Sequence, residues 1–313
     1  MATCLVTGGA GFIGSHLVDA LVERGDDVRV VDDFSTGRRE NLAHLEGRFQ
    51  LFEGSIQSTE LMAEAAAGVD LVFHLAAMVS VPKSVEQPRL CHELCATGTL
   101  NALLAAVDGG ARRFVYSSTS AVYGDSASCP ISESSPLDPL SPYAAGKLAG
   151  EAYCQAFSRL GRIETVRLRY FNVFGPRQDP SSPYSGVISL FLDAMRAGRR
   201  PTILGDGLQS RDFVYVANVV DANLRAAETA GVDGAAFNIG AGERRSLLEL
   251  VATLNRHLKA DLPPNFGPAR AGDVRHSQAD VGEARRRLGY EPRIDFDAGI
   301  ARTLDARPAA PAA

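Results

Sequence analysis

The feature that most restricts this chain is a glycine-rich turn, Gly8-Gly9-Ala10-Gly11-Phe12-Ile13-Gly14. It lies between a short apolar run at Cys4 to Thr7 and a segment of helical periodicity at Phe12 to Arg24. A second strand-like run follows at Val28 to Asp32. Strand, helix and strand in that order form a βαβ unit and require a parallel sheet. Gly8 permits a tight turn, Gly11 lets backbone approach a pyrophosphate, and Gly14 lets the helix pack closely on the sheet. The positive end of that helix favours phosphate. Asp32, ending the second strand, can accept both ribose hydroxyls of an adenosine and would repel a 2'-phosphate. NAD is therefore expected over NADP. Arg38 and Arg39 argue the other way, but they follow Asp32 and do not replace it.

Further strands are expected at Phe49 to Phe52, Leu71 to Leu75, Arg113 to Ser117 and Thr165 to Tyr170, with helices near 58–67, 86–108, 143–160 and 185–198. Beyond Asn172 the alternation gives way to Pro- and Ser-rich loops. The expected division is a cofactor domain over 1–172, rejoined by about 212–238, and a smaller domain over 173–211 plus 239–305. A disordered tail is expected over 306–313. At 313 residues, 45% hydrophobic and 22% charged, the chain can bury a large core. A net charge of -5 gives no support to nucleic-acid binding. No run of about 20 apolar residues stands out as a membrane span. The five cysteines are odd in number and lack zinc-like spacing, which points to free thiols in a reducing cytosol. Cys91 and Cys95 lie one helical turn apart, but no second cluster of ligands follows, and no metal site is expected.

Ser141-Pro142-Tyr143-Ala144-Ala145-Gly146-Lys147 carries the chemistry. Pro142 suits a first helical turn, so Tyr143 and Lys147 fall on one face. A tyrosine is a poor base at neutral pH. An ammonium nearby and a bound nicotinamide cation would both favour the phenolate. The pair is then fitted to take a proton from an alcohol while hydride leaves carbon. Ser117-Ser118-Thr119 ends a strand on the edge where parallel α/β enzymes bind ligands, and Thr119 can bridge the reacting hydroxyl and Tyr143.

With these residues in place the chain resembles the extended short-chain dehydrogenase/reductase family, and within it the nucleotide-sugar 4-epimerases. The resemblance runs from Cys4 to about Leu304. It rests on Gly8 to His16, His74-Leu75-Ala76-Ala77, Ser117 to Gly124, Tyr143 to Lys147, Tyr170 to Gly175, Gly205-Asp206-Gly207, Arg211-Asp212-Phe213-Val214, Phe237 to Gly240 and Gly272 to Ser277. It implies a seven-stranded parallel Rossmann-like sheet with a smaller interleaved α/β domain. It also implies a homodimer whose long helices, here about 86–108 and 143–160, form a four-helix bundle; the stripes themselves read equally well as sheet-covering core.

The resemblance assigns Thr119, Tyr143 and Lys147 to catalysis. It assigns Gly8, Gly11, Phe12, Ile13, Gly14, Asp32, Asp33, Gly37, Ser55, Ile56, Leu75, Ala76, Ala77, Lys83, Tyr143 and Lys147 to NAD. Lys83 reads equally well as a solvated lysine. The substrate, a UDP-sugar, is assigned to Ser80, Thr119, Tyr143, Asn172, Tyr184, Val187, Leu204, Arg211, Arg270, Asp273 and Ser277. Asn172, Arg211 and Arg270 hold the diphosphate in this scheme, and Leu204 lies on the strand that receives uracil. Taken singly, an arginine is ordinarily only surface charge.

Related dehydratases place an Asp-Glu pair directly after the threonine, and the glutamate removes the C5 proton; related decarboxylases also usually carry that glutamate. This chain has Ser120-Ala121 there, which disfavours both reactions. The implied reaction is oxidation at C4 of UDP-glucose to a 4-keto sugar, rotation about the pyrophosphate linkage, and reduction from the other face. Ser277 stands where epimerases confined to glucose and galactose have a bulky tyrosine, leaving room for an N-acetyl group, although a small loop residue permits such a sugar without requiring it. A UDP-glucuronate 4-epimerase and another NAD-dependent nucleotide-sugar oxidoreductase are the alternatives; a dinucleotide-sensing protein with an idle site is a third. Two departures stand out. Ser55-Ile56 replaces the usual Asp-Ile at an adenine contact, and Cys95 replaces an Asn near the nicotinamide; both bear on NAD retention.

Overall fold

The computed structural model describes residues 1–126, 129–179, 186–269 and 274–306. Its centre is a seven-stranded sheet made of β1 (Thr3–Thr7), β2 (Asp27–Asp32), β3 (Gln50–Glu53), β4 (Leu71–His74), β5 (Arg113–Thr119), β6 (Glu164–Tyr170) and β11 (Ala235–Ile239). Their order across the sheet is β11-β6-β5-β4-β1-β2-β3. Every neighbouring pair is parallel. β1 lies between β2 and β4, so the chain reverses its direction of winding there. The carboxyl ends of β1 and β4 therefore open a crevice, the usual ligand position in such a sheet. β11 was not expected from sequence as a strand of its own.

Both faces of the sheet are buried, and the period of two divides its side chains. Cys4, Val6, Val28, Val30, Leu71 and Phe73 join one core, while Leu5, Val31 and Val72 join the opposite one. The first core is covered by α1 (Phe12–Glu23), α8 (Val216–Glu228) and α10 (Gly282–Leu288); the second is covered by α2 (Thr59–Ala66), α5 (Gly98–Asp108) and α6 (Pro142–Arg159).

The helix expected near 86–108 runs from Pro88 to Asp108, with α4 (Pro88–His92), a π-helical turn at Glu93–Thr97 and α5 continuous with one another. Pro88 sets its start and separates it from the preceding α3 (Val81–Glu86): the residue before it, Gln87, is driven out of the helical region to φ -129 and ψ 61. One run, Pro88–Asp108, is long and apolar enough to cross a membrane by length and composition, contrary to the sequence expectation. Half of that window is buried, consistent with a helix covering the sheet.

A third core gathers beyond the carboxyl edge. It is built on β7 (Asn172–Phe174), α7 (Val187–Arg196), β8 (Thr202–Leu204), β9 (Ser210–Arg211), β10 (Phe213–Tyr215), β12 (Arg245–Ser246), α9 (Leu247–Leu258), β13 (Asn265–Gly267) and α11 (Phe296–Asp305). Phe174, Phe191, Phe213, Leu250, Leu254 and Phe296 fill it, with Phe213 stacked on Phe296 at 5.6 Å. Phe12 and Ile13, from the first turn of α1, lean on this core. The glycine turn thus sits where the sheet and the third core meet.

Candidate active site

At the cofactor end, β1 stops at Thr7 and the chain turns through Gly8 at φ +71. A Cβ on Gly8 would meet Ala76 N at 2.8 Å, so the turn and the chain leaving β4 approach as only glycine allows. A Cβ on Gly14 would fall 2.1 Å from Gly8 O, which explains how α1 comes so close to the turn. Around Gly11 a Cβ would meet only Gly8 O, at 3.2 Å. Gly11 is the N-cap of α1 and gives it no side-chain cap, so the first N–H groups of the helix face an open cradle. That arrangement fits a pyrophosphate.

Asp32 is buried, with Oδ2 accepting the Ala10 N–H at 2.8 Å and Oδ1 the Phe34 N–H at 2.9 Å. Burial raises its pKa, and the two N–H groups oppose that rise. A Cβ on Gly37 would come within 2.6 Å of Oδ1, so the glycine leaves the carboxylate room. Each oxygen keeps a lone pair for a ribose hydroxyl. Arg38 pairs with Asp179 at 2.6 Å, and Arg39 pairs with Glu53 at 2.5 Å while lying over Phe34. Both arginines that argued for a 2'-phosphate are thus held by carboxylates. Asp33 turns outward and accepts the Ser35 N–H, Ser55 contacts Gln57, and Ile56 is buried against Gly98. Leu75 and Ala76 are tied to Thr7 by their N–H groups, and Ala77, like Tyr143, packs against the cluster of Met78, Cys91 and Cys95. Lys83 lies in α3 with its N–H on the Ser80 hydroxyl.

The catalytic residues come from β5 and α6. Ser141 caps α6 by accepting the Ala144 N–H, and Pro142 occupies the first turn. Tyr143 is anchored by its N–H to the buried Ser84 hydroxyl at 3.2 Å, a contact that sequence reasoning missed. Burial pushes its phenol well above the ordinary pKa, the neighbouring Thr119 hydroxyl opposes this, and the thiols of Cys95 and Cys91 add to the rise. The ammonium of Lys147 is buried and donates to the Ser117 carbonyl at 2.6 Å. A buried ammonium takes the nearest strong acceptor, here a carbonyl at the end of β5. Burial lowers the pKa of Lys147, with Cys95, Cys154 and Glu151 pulling the other way.

A buried network supports this edge. Glu151, one turn beyond Lys147, accepts the Ser118 hydroxyl at 2.5 Å and a two-point contact from Arg169, at 2.9 and 2.7 Å. Arg169 also donates to Tyr123, and Tyr123 donates to Asn238. On the other side, His74 joins β1 to the start of α5. Thr99 spends its hydroxyl proton on Cys95 O at 2.8 Å, so His74 Nε2 must carry the proton that reaches Thr99. Nδ1 then accepts from the Thr7 hydroxyl at 2.8 Å. Burial, with Lys147 adding to it, lowers the His74 pKa to about 3 and keeps the ring neutral. Cys95, in the π turn, is buried with its thiol 3.8 Å from Met78 O.

Across the crevice, Asn172 begins β7 with its N–H on Asp212 O at 3.0 Å. Arg211 Nη1 donates to Ser210 O at 2.9 Å and reaches Arg275 O at 3.4 Å. Ser277 is buried, and its N–H donates to Ser210 O at 3.1 Å. Leu204 is partly exposed and accepts the Gln209 side-chain amide at 2.6 Å through its carbonyl. Val187 starts α7 against the third core, and Ser80 caps α3. Tyr184, Arg270 and Asp273 lie outside the described residues.

Residues 4–240 match the model of the NAD dependent epimerase/dehydratase family. The chain belongs to this family. NAD is accordingly its cofactor, and the open cradle and Asp32 suit it. A UDP-glucose 4-epimerase of Mycolicibacterium smegmatis is 41% identical over 305 residues, covering 96% of this chain and 97% of the relative. The crystal structure of a UDP-glucose 4-epimerase from Thermotoga maritima, with UDP-glucose, is 39% identical at a TM-score of 0.92, covering 97% of each chain. A UDP-N-acetylglucosamine 4-epimerase from Methanobrevibacter ruminantium, in complex with UDP-N-acetylmuramic acid, is 36% identical at a TM-score of 0.93, again over 97% of each. As an NAD-dependent epimerase/dehydratase family member, the chain is an isomerase-type enzyme built on the Rossmann-like sheet described above.

Proposed function

We propose that the chain is a UDP-hexose 4-epimerase, interconverting UDP-glucose with UDP-galactose and also UDP-N-acetylglucosamine with UDP-N-acetylgalactosamine. The observation that carries this reading lies directly after Thr119. Ser120 and Ala121 enter a single 3-10 turn, with the Ala121 N–H on the Thr119 hydroxyl at 3.2 Å, and neither offers a carboxylate to remove a C5 proton. Proton exchange at one oxygen is then the chemistry left to Thr119 and Tyr143.

In this reading the sugar O4 sits against Thr119 and Tyr143, and Tyr143 takes its proton during oxidation and returns it during reduction. NAD, when bound, takes up and gives back the C4 hydrogen as hydride. Because burial holds the phenol high, its ionisation in the working complex relies on positive charge from Lys147 and from the oxidised cofactor. Asn172 and Arg211, with Arg270, grip the diphosphate, which does not react. The sugar is left free to turn about its linkage while binding energy is kept. Leu204 flanks the base, and Ser277, small and buried, leaves space beside C2. Ser80, Tyr184, Val187 and Asp273 complete the pocket, and the remaining NAD contacts are those named above. The division into a cofactor part (1–172 with about 212–238) and a nucleotide-sugar part (173–211 with 239–305) belongs to this proposal; the third core supports it except at Phe213, Tyr215 and Val216, which fall in that core.

A homodimer whose helices at about 86–108 and 143–160 form a four-helix bundle is part of the proposal. It is supported by the exposed apolar side chains Leu104, Tyr153 and Leu160 on those helices. A cytosolic location is favoured by the five free thiols, four of them buried. Incubation with UDP-glucose, UDP-N-acetylglucosamine and UDP-glucuronate, each followed by resolution of the C4 isomers, tests the assignment. Isomers are expected from the first two. Isomer from UDP-glucuronate alone would move the assignment to that sugar, and none from any of the three would overturn it. Stoichiometric release of NADH would indicate a net oxidoreductase.

A further inference from the structure

Asp212 is fully buried, yet the reaction described above gives its carboxylate nothing to do. All of its partners are backbone. Oδ1 accepts the Ala241 N–H at 2.6 Å, while Oδ2 accepts Gly242 N–H and Ala279 N–H, each at 3.0 Å. Its own carbonyl accepts the Asn172 N–H at 3.0 Å. It directly follows Arg211, and Ala279 lies just beyond Ser277, whose N–H is held by Ser210 O at 3.1 Å. Three residues assigned to the substrate therefore hang on one amino acid: Arg211 by covalent linkage, Asn172 through the Asp212 carbonyl, and Ser277 through the segment that its carboxylate fixes.

Gly240 makes this closeness possible, since a Cβ there would lie 2.7 Å from Oδ2 and 2.7 Å from the Ala279 Cβ. Fully buried, with both oxygens turned to backbone donors, the side chain has no route to the substrate itself. A neutral amide in its place would turn an N–H donor toward an N–H donor, and one of the three bonds would be lost.

We infer that Asp212 is a positioning residue: its ionised carboxylate holds the 240–242 turn and the 277–279 segment in register with Arg211 and Asn172, and so builds the nucleotide-sugar clamp. This rests on the UDP-hexose reading. Burial raises the pKa of Asp212 to about 6, against the pull of its three N–H donors, with Glu243 adding to the rise. Other ionisable groups face the same place. Tyr290 donates to Gly240 O at 2.8 Å from beyond α10, and on the 275–277 segment His276 stands among Arg211, Arg244 and Arg275. Burial, then those arginines, lowers the His276 pKa. As pH falls through about 6, Asp212 takes up a proton, an O–H replaces an acceptor, and the clamp loosens.

The experiment compares the holoenzyme with Asp212→Asn and with Gly240→Ala, measuring KM, kcat and the pH dependence of kcat/KM on whichever UDP-sugar the wild type epimerises. Both variants are expected to raise KM about tenfold, the loss of one bond to a charged group, with kcat and bound NAD little changed. The wild type should show an acid limb in kcat/KM near pH 6 that Asp212→Asn removes. An acid limb that persists in the variant belongs to His276 or another group and overturns the inference. So does an unchanged KM in folded variants. Should Asp212→Asn not fold, Gly240→Ala and the wild-type acid limb still decide. A wild type that epimerises no UDP-sugar counts against the function proposed above, whereas an active wild type with unaltered variants counts against Asp212 alone.

Discussion

The two ends of the crevice use one device for two purposes. At the cofactor end Asp32, and at the sugar-nucleotide end Asp212, is a buried carboxylate that accepts backbone N–H groups and faces a glycine whose Cβ would collide with it. Asp32 takes two N–H bonds, one on each oxygen, and keeps lone pairs for a ligand. Asp212 takes three and is sealed. The complete burial of Asp212, together with its third backbone donor, thus separates a carboxylate that can bind from one that can only hold others in place. Desolvation raises both pKa values, so each end carries an electrostatic cost that its N–H donors only partly offset.

The largest effect should arise between the two ends, where neither carboxylate acts. Tyr143→Phe removes the proton carrier and leaves both clamps intact, so kcat should fall by roughly 10²- to 10⁴-fold with bound NAD and UDP affinity unchanged. Rapid-quench assay of isomer formation, alongside denaturing release of NAD, measures both. A phenylalanine variant with near-normal turnover would mean that the chemistry does not pass through this phenol, and the comparison of the ends would lose its centre.

Next in size is the cofactor carboxylate. Asp32→Asn keeps the shape but presents an amide to two N–H donors and to the ribose, so NAD affinity should drop about 10- to 100-fold. UDP affinity, measured by calorimetry, should stay put. Asp212→Asn should do the reverse. A variant that weakens both ligands equally would mean that the two ends are not independent, and that the Arg38–Asp179 and Arg177–Asp19 pairs, which tie the loop after β7 to the cofactor half, couple them.

How far the sequence could foresee this differs along the chain. The glycine turn, β1, α1 and Asp32 are legible because their partners lie close in sequence and their spacing is imposed by one βαβ unit. Tyr143 and Lys147 are legible as types on one helix face, but the acceptor that holds the ammonium, Ser117 O, is a long-range contact. The helix expected near 86–108 is legible to within two residues, but the π turn inside it at Glu93–Thr97 is not, because a single widened turn leaves little mark on apolar spacing. β11, Ala235–Ile239, is too short and too rich in alanine to stand out. Glu151 and Asp212 look like surface acids on paper. What makes them buried anchors is Arg169 for the first, and for the second the turn at 240–242 and Ala279, contacts that no local pattern encodes.

The smallest expected effect discriminates between the ends most sharply, because stability and affinity should move in opposite directions. A carboxylate whose folded pKa lies above its unfolded value costs the fold stability wherever it is ionised, and that cost is relieved as pH falls through the folded value. For Asp212, raised to about 6 from 3.8, the relief falls between pH 7 and 5. Over that interval the group should add about 1 kcal/mol to the folding free energy of the wild type relative to Asp212→Asn. Over the same interval the wild-type KM for the UDP-sugar should rise. Denaturant titrations of the two proteins at pH 7 and pH 5, with KM measured at both, test this. A structural prop would lose stability and affinity together on acidification. A residue that spends folding energy to hold a clamp should gain the first while losing the second.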